Sequence, residues 1–171
     1  SVAWVLQRAV RQYQAFHRLA AAAAPGEHAL SVIIPVRNEQ DNIGACLDTL
    51  TAQQYAGPLE ILVVDDDSTD ATWSIAGARS HGGVRVMRAG PLPEGWTGKC
   101  HACWQGASAA TGEYLCFIDA DVRARPELLR RAVGHAAAQR IDMLSLSPLQ
   151  EMGTWSERLI LPAGFLLLAA T

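Results

Sequence analysis

Glu60-Ile61-Leu62-Val63-Val64-Asp65-Asp66-Asp67-Ser68-Thr69-Asp70 is the stretch that decides the fold. It opens as an apolar, β-branched run, the pattern of a strand buried on both faces. It then breaks at once into a cluster of acids that no core can hold. The same change from apolar strand to polar exit recurs on either side. Leu30–Ile34 runs into Pro35-Val36-Arg37-Asn38-Glu39, and Tyr114–Ile118 runs into Asp119-Ala120-Asp121. Val84–Met87 and Ile141–Leu146 read as further strands.

The intervals between these runs read as helices. Asn38 can cap a helix in which Ile43, Cys46, Leu47 and Leu50 repeat at helical spacing. Ser68 or Asp70 can cap the next, which runs to about Arg79. Lys99–Ala110 is helical after a Gly/Pro-rich loop at 89–98, and Pro126 opens another helix that runs to Gln139. Residues 1–24 form an Ala-rich helix stopped by Pro25-Gly26. Alternating strands and helices predict an α/β fold, a Rossmann-like, mostly parallel sheet flanked by helices, with apolar helices at both ends. In such sheets ligands sit outside the carboxyl ends of the strands, where the three polar clusters lie.

Composition narrows the class. Half of the 171 residues are hydrophobic and 18% are charged, which excludes a disordered chain. A net charge of −3 gives no basic field for nucleic acid. Four cysteines, at 46, 100, 103 and 116, are too few and too unevenly spaced for a disulfide framework and fit a reducing compartment. The chain starts with Ser1 and closes within an apolar run, Leu159–Thr171, of thirteen residues against the roughly 20 that span a bilayer. Both features are expected of a piece of a longer protein.

Asp119 and Asp121 are the candidate metal ligands. Mg2+ and similar hard cations take one or two carboxylates and complete their shell with phosphate oxygens and water. The plainer reading is a pair of exposed loop aspartates. Of Asp65 and Asp66, only one can point into the rim to accept hydrogen bonds from a base or a sugar. Cys100-His101-Ala102-Cys103 has the spacing of half a zinc site but reads as ordinary helix, because no second pair of ligands lies near it in sequence. Trp104 is expected in the core, and Trp96, in its loop, is a candidate functional aromatic. Arg123, Arg125, Arg130 and Arg131 read as a solvated face that can also meet anionic lipid.

Pro35-Val36-Arg37-Asn38-Glu39, Val64–Asp70, Gly98-Lys99 and Gly112-Glu113-Tyr114 leading into Asp119-Ala120-Asp121 resemble, in order and spacing, the family-two glycosyltransferases. Pro93–Lys99, Met143–Leu146 and Trp155–Leu159 look like the membrane-associated branch that acts in hopanoid and carotenoid pathways. The resemblance implies a GT-A nucleotide-sugar-binding domain over 29–148. An N-terminal helix at 1–28 and an apolar segment from 149 to 171 would associate with the cell membrane, with the catalytic domain on the cytoplasmic side. It also implies an inverting transfer from a nucleotide-diphosphate sugar to a lipid or isoprenoid-type acceptor, assisted by Mg2+ or Mn2+.

By the same resemblance Pro35, Val36, Arg37, Asn38 and Glu39 line the nucleotide pocket. Asp66 binds the base beside Asp65, and Lys99 approaches the phosphates or the sugar. Asp119 and Ala120 lie at the ribose and metal, and Asp121 is the principal metal ligand. Family members usually carry Gly where this chain has Asp67. The general base that such a transfer needs has no matching motif after Asp121 and is expected beyond Thr171. Two other functions compete. Asp65 in Asp65-Asp66-Asp67-Ser68-Thr69 matches the nucleophile of haloacid-dehalogenase-like phosphatases; alternatively, the chain binds donor without catalysing transfer.

Overall fold

The computed structural model describes residues 28–146. In chain order the elements are β1 (Leu30–Val36), α1 (Ile43–Thr51), β2 (Leu59–Asp65), α2 (Thr72–Gly77), β3 (Val84–Arg88), α3 (Gly98–Ala109), β4 (Tyr114–Phe117) and α4 (Leu128–Gln139). The strands form one four-stranded sheet in the order β3-β2-β1-β4. Every pairing in it is parallel.

Period-two alternation divides the core between the two faces of the sheet. Val32, Ile34, Ile61 and Val63 pack on one side with Ile43, Leu47 and Leu50 of α1, Ala76 of α2, and Leu129 and Val133 of α4. Ile33, Leu62 and Val64 pack on the other side with Ala102 of α3. The central strands are therefore apolar at nearly every position, as parallel strands covered on both faces must be. Pro35 is tolerated inside β1 because the β4 ladder ends at the Ile33–Phe117 pair. Its missing N–H thus removes no bond on that side.

A polar knot ties the strand starts together. The buried Ser31 hydroxyl donates to Glu60 Oε1 at 2.5 Å. The Thr111 N–H and hydroxyl donate to the same oxygen at 2.6 and 2.7 Å. The Gly112 N–H donates to Ser31 Oγ at 2.8 Å, and Arg85 pairs with Glu60 Oε2 at 3.4 Å. Burial pushes the Glu60 carboxyl up, but the hydrogen bonds from Ser31 and Thr111 outweigh it and hold the group below its ordinary value. A carboxyl depressed in the folded state stabilises above its unfolded pKa and loses that contribution as pH falls through its folded pKa. Glu60→Gln is expected to lower stability by about 1 kcal/mol at neutral pH, since it weakens charge-assisted bonds. Denaturant titrations should show the gap from the wild type closing below about pH 4.

Three expectations need correction. Ile141–Leu146 forms no strand. The Arg140 backbone turns left-handed (φ 53°) at the end of α4, Met143 is 85% exposed, and the run finds no ladder partner among the described residues. Asn38 caps no helix, because α1 begins at Ile43, four residues after Glu39. Trp104 is 55% exposed rather than in the core, because α3 meets the sheet through Ala102 and Gly106. The terminal helices expected at 1–24 and over 149–171 lie outside the described residues. Among the described residues no helix is long and apolar enough to cross a membrane.

Candidate functional site

β1, β2 and β4 end on one rim. Val36 is in register with Asp65, and the Ile118 N–H donates to Ile33 O at 3.0 Å. The Asp66 N–H donates to Val36 O at 2.8 Å, which fixes the first residue beyond β2 against the end of β1. The first turn of α3 closes the rim from the other face, its start set by the Thr97 hydroxyl accepting from the Cys100 N–H. Between them lies an open cleft of about 460 Å³. Its walls are Pro35, Val36, Arg37 and Glu39 from β1 and its exit, Asp66 after β2, Gly98, Lys99 and Ala102 from α3, and Asp119, Ala120 and Asp121 after β4.

Nine of the sequence-derived site residues thus meet in one place, while Asn38 and Asp65 do not line the cleft. Asn38, at φ 56°, faces the neighbouring loop. Its Oδ1 accepts from the Thr69 N–H at 2.9 Å, and its own N–H donates to Ser68 Oγ at 3.0 Å. The Glu39 N–H donates to Thr72 Oγ1 at 2.7 Å, and the Gln40 N–H to Asp70 Oδ2 at 3.2 Å. Asp70 also accepts from the Thr72 N–H at 2.9 Å, which anchors the entry to α2. Asp67 takes a left-handed conformation (φ 57°) that glycine adopts without strain and aspartate tolerates. The turn therefore survives the departure from glycine.

Asp65 is 1% exposed. Its Oδ2 accepts from the Ser68 N–H at 3.4 Å and lies 3.6 Å from Arg88 Nη1, whose guanidinium sits 4.4 Å above the Trp73 ring. A buried, ion-paired carboxylate cannot reach a phosphomonoester, so the phosphatase reading loses its nucleophile.

Two ion pairs span the cleft. Arg37 Nη1 lies 3.3 Å from Asp66 Oδ2, and Lys99 Nζ lies 2.7 Å from Asp119 Oδ1. The hydrogen bond with Asp119 raises the Lys99 ammonium above its ordinary pKa. Asp119 and Asp121 stand on a turn closed by the Val122 N–H donating to Asp119 O at 3.1 Å. Ala120 between them is buried, so its methyl anchors the turn while both carboxylates face the cleft. Arg123 Nη1 donates to Ala120 O at 3.3 Å and holds the turn from outside. Among the described residues no cluster of three or more His, Cys, Asp or Glu could hold an ion. Asp119 and Asp121 together offer two carboxylates, a set that would fit a hard cation completing its shell with phosphate oxygens and water.

Gly98 and Ala102 join the lining as residues that no chemical signal in their own side chains marked out; Gly98 was visible only as the partner of Lys99. The Cys100 and Cys103 thiols are free. Burial raises Cys103, and it pushes Cys46 and Cys116 up to about 11, so all three are protonated at neutral pH. Trp96 lies 5.8 Å from Trp104 and 5.9 Å from buried His101, ring centre to ring centre. The two tryptophans form an exposed aromatic pair, 43% and 55% exposed.

A family model described as glycosyl transferase family 2 matches residues 31–158. The chain belongs to this family. It is 40% identical over 107 residues to the 4,4'-diaponeurosporenoate glycosyltransferase of Staphylococcus aureus (strain USA300), a match that covers 62% of this chain and 28% of the relative. The chain thus spans little more than a quarter of the curated relatives it matches. Among solved structures it resembles the mannosyltransferase PcManGT of Pyrobaculum calidifontis in complex with GDP-Man and Mn2+. The TM-score is 0.61 at 28% identity, covering 80% of this chain and 42% of that one. Staphylococcus aureus TarS 1-349 in complex with UDP-GlcNAc gives a TM-score of 0.56 at 26% identity, covering 74% and 36%. The family resemblance and the parallel α/β sheet drawn from the sequence are both borne out.

Proposed function

We propose that this glycosyltransferase chain carries the donor half of a metal-assisted, inverting sugar transfer from a nucleotide-diphosphate sugar to an apolar, lipid-like acceptor at the cell membrane, with the site on the cytoplasmic side. The carrying observation is the convergence of Arg37, Asp66, Lys99, Asp119 and Asp121 on one cleft at the carboxyl rim of the sheet. Structural neighbours in complex with GDP-Man and Mn2+ and with UDP-GlcNAc support the donor class. The name of the carotenoid-acid relative and the exposed Trp96–Trp104 pair support an apolar acceptor.

In this reading Asp66 accepts hydrogen bonds from the nucleoside, while Pro35 and Val36 give it an apolar wall. Asp119 and Asp121 would hold Mg2+ or Mn2+, which when bound would supply Lewis-acid stabilisation to the diphosphate leaving group. Lys99 leaves Asp119 for the phosphates, exchanging one anionic partner for another in the same place. Every carboxylate in the cleft has a donor-side or structural task; Glu39, for example, accepts from Asn42 Nδ2 at 2.9 Å. These residues are therefore expected to bind donor, with the base that takes the acceptor proton supplied by another part of the whole protein. Calorimetry with UDP and GDP, with and without Mn2+, tests this. Binding of at least one nucleotide that requires Mn2+ supports the reading; no binding of either nucleotide under either condition overturns it.

A further inference from the structure

Gly98 opens α3 without a left-handed backbone, so conformational freedom does not account for a glycine there. Space does. A Cβ on Gly98 would run into Asp66 Oδ2, and it would lie 2.9 Å from Asp66 Cγ and 3.2 Å from Oδ1. A methyl there would make the carboxylate move. Its backbone is tied to Val36 O, so the movement falls on the side chain and on its ion pair with Arg37 Nη1 at 3.3 Å. We infer that Gly98 is a positioning residue: the bare first turn of α3 is the seat that aims Asp66 at the nucleoside of the donor. The inference rests on the donor-binding role proposed for Asp66. It adds that the nucleoside is read by a pair, one residue supplying the carboxylate and the other the room for it.

The test is a double-mutant cycle on the full chain with Gly98→Ala, Asp66→Ala and both together. The readouts are thermal melting and calorimetry with Mn2+ plus UDP, GDP or inorganic pyrophosphate. Gly98→Ala is expected to weaken the preferred nucleotide about tenfold, the loss of roughly one good hydrogen bond to a charged group. It should leave Mn2+–pyrophosphate binding within about twofold, since that ligand has no nucleoside. In the Asp66→Ala background, where the obstructing carboxylate is gone, adding Gly98→Ala should change neither nucleotide affinity nor melting temperature. A merely structural glycine would give the same loss in both backgrounds, and that additivity would overturn the inference. So would unchanged nucleotide affinity in Gly98→Ala. If the wild-type protein binds pyrophosphate as tightly as it binds nucleotides, the nucleoside role of Asp66 fails and the inference falls with it. If the wild type prefers a nucleotide and Gly98→Ala keeps that preference, the inference fails alone.

Discussion

Asp121→Ala is expected to remove the metal-dependent part of nucleotide binding, a loss of at least about 100-fold in the presence of Mn2+. Disturbing the outer-shell partners of a metal ligand already costs 10–100-fold, and in the proposed reading one of two ligands is lost. The remaining carboxylate, Asp119, is already engaged by Lys99 at 2.7 Å, so a cation would have to displace an ammonium with no second carboxylate to help. Asp119→Ala makes the informative contrast. It also removes a ligand, but it frees Lys99 to face the phosphates, so it should retain more metal-independent nucleotide binding than Asp121→Ala does. Calorimetry of both variants with UDP and GDP, with and without Mn2+, separates the cases. Mn2+-dependent binding by Asp121→Ala at wild-type strength would remove that residue from the metal site.

Gly106→Val is expected to be the most damaging small-to-large change on the face that bears the cleft. Gly106 lies in the middle of α3, where glycine weakens a helix by roughly 0.5–1 kcal/mol relative to alanine, so its presence needs a packing reason. A Cβ there would stand 2.5 Å from Ile33 Cγ2 and 3.1 Å from Val64 Cγ2, both on fully buried, stiff, β-branched residues of β1 and β2. Even alanine would force movement, and valine adds two methyls to a layer with no room. Overpacking of this kind costs about 1–3 kcal/mol. For a chain of this size that is roughly 2–4 °C in melting temperature per kcal/mol. Lifting α3 also lifts Lys99 and Gly98, so donor binding should weaken along with stability. A variant that melts with the wild type and binds nucleotide normally would show that α3 is not seated through this glycine.

Much of this architecture was legible because parallel strands covered on both faces leave unbroken apolar runs, and the chain exits each into polar residues. Val32–Ile34 and Ile61–Val64 are fully or almost fully buried, and the acids that follow them fall on the rim as the topology requires. What escaped depends on partners distant in sequence. Asn38 reads as a helix cap by type, but its partner is Thr69, thirty-one residues away. Asp65 and Asp66 are chemically identical, and only the pleat of β2 decides that the first is buried against Arg88 and the second faces the cleft. Ile141–Leu146 has strand-like composition but no neighbour to pair with among the described residues. Gly98 and Gly106 act by what they lack, and a missing side chain carries no signal until the facing surface is known.

The hydrogen bonds that lace residues 38–40 to residues 68–72 fuse the exits of β1 and β2 into a single lip. In the proposed reading, a lip laced in this way would meet the nucleoside as a preset wall. Discrimination among nucleosides would then rest on Asp66 at this lip together with Gly98, which meets it from the first turn of α3.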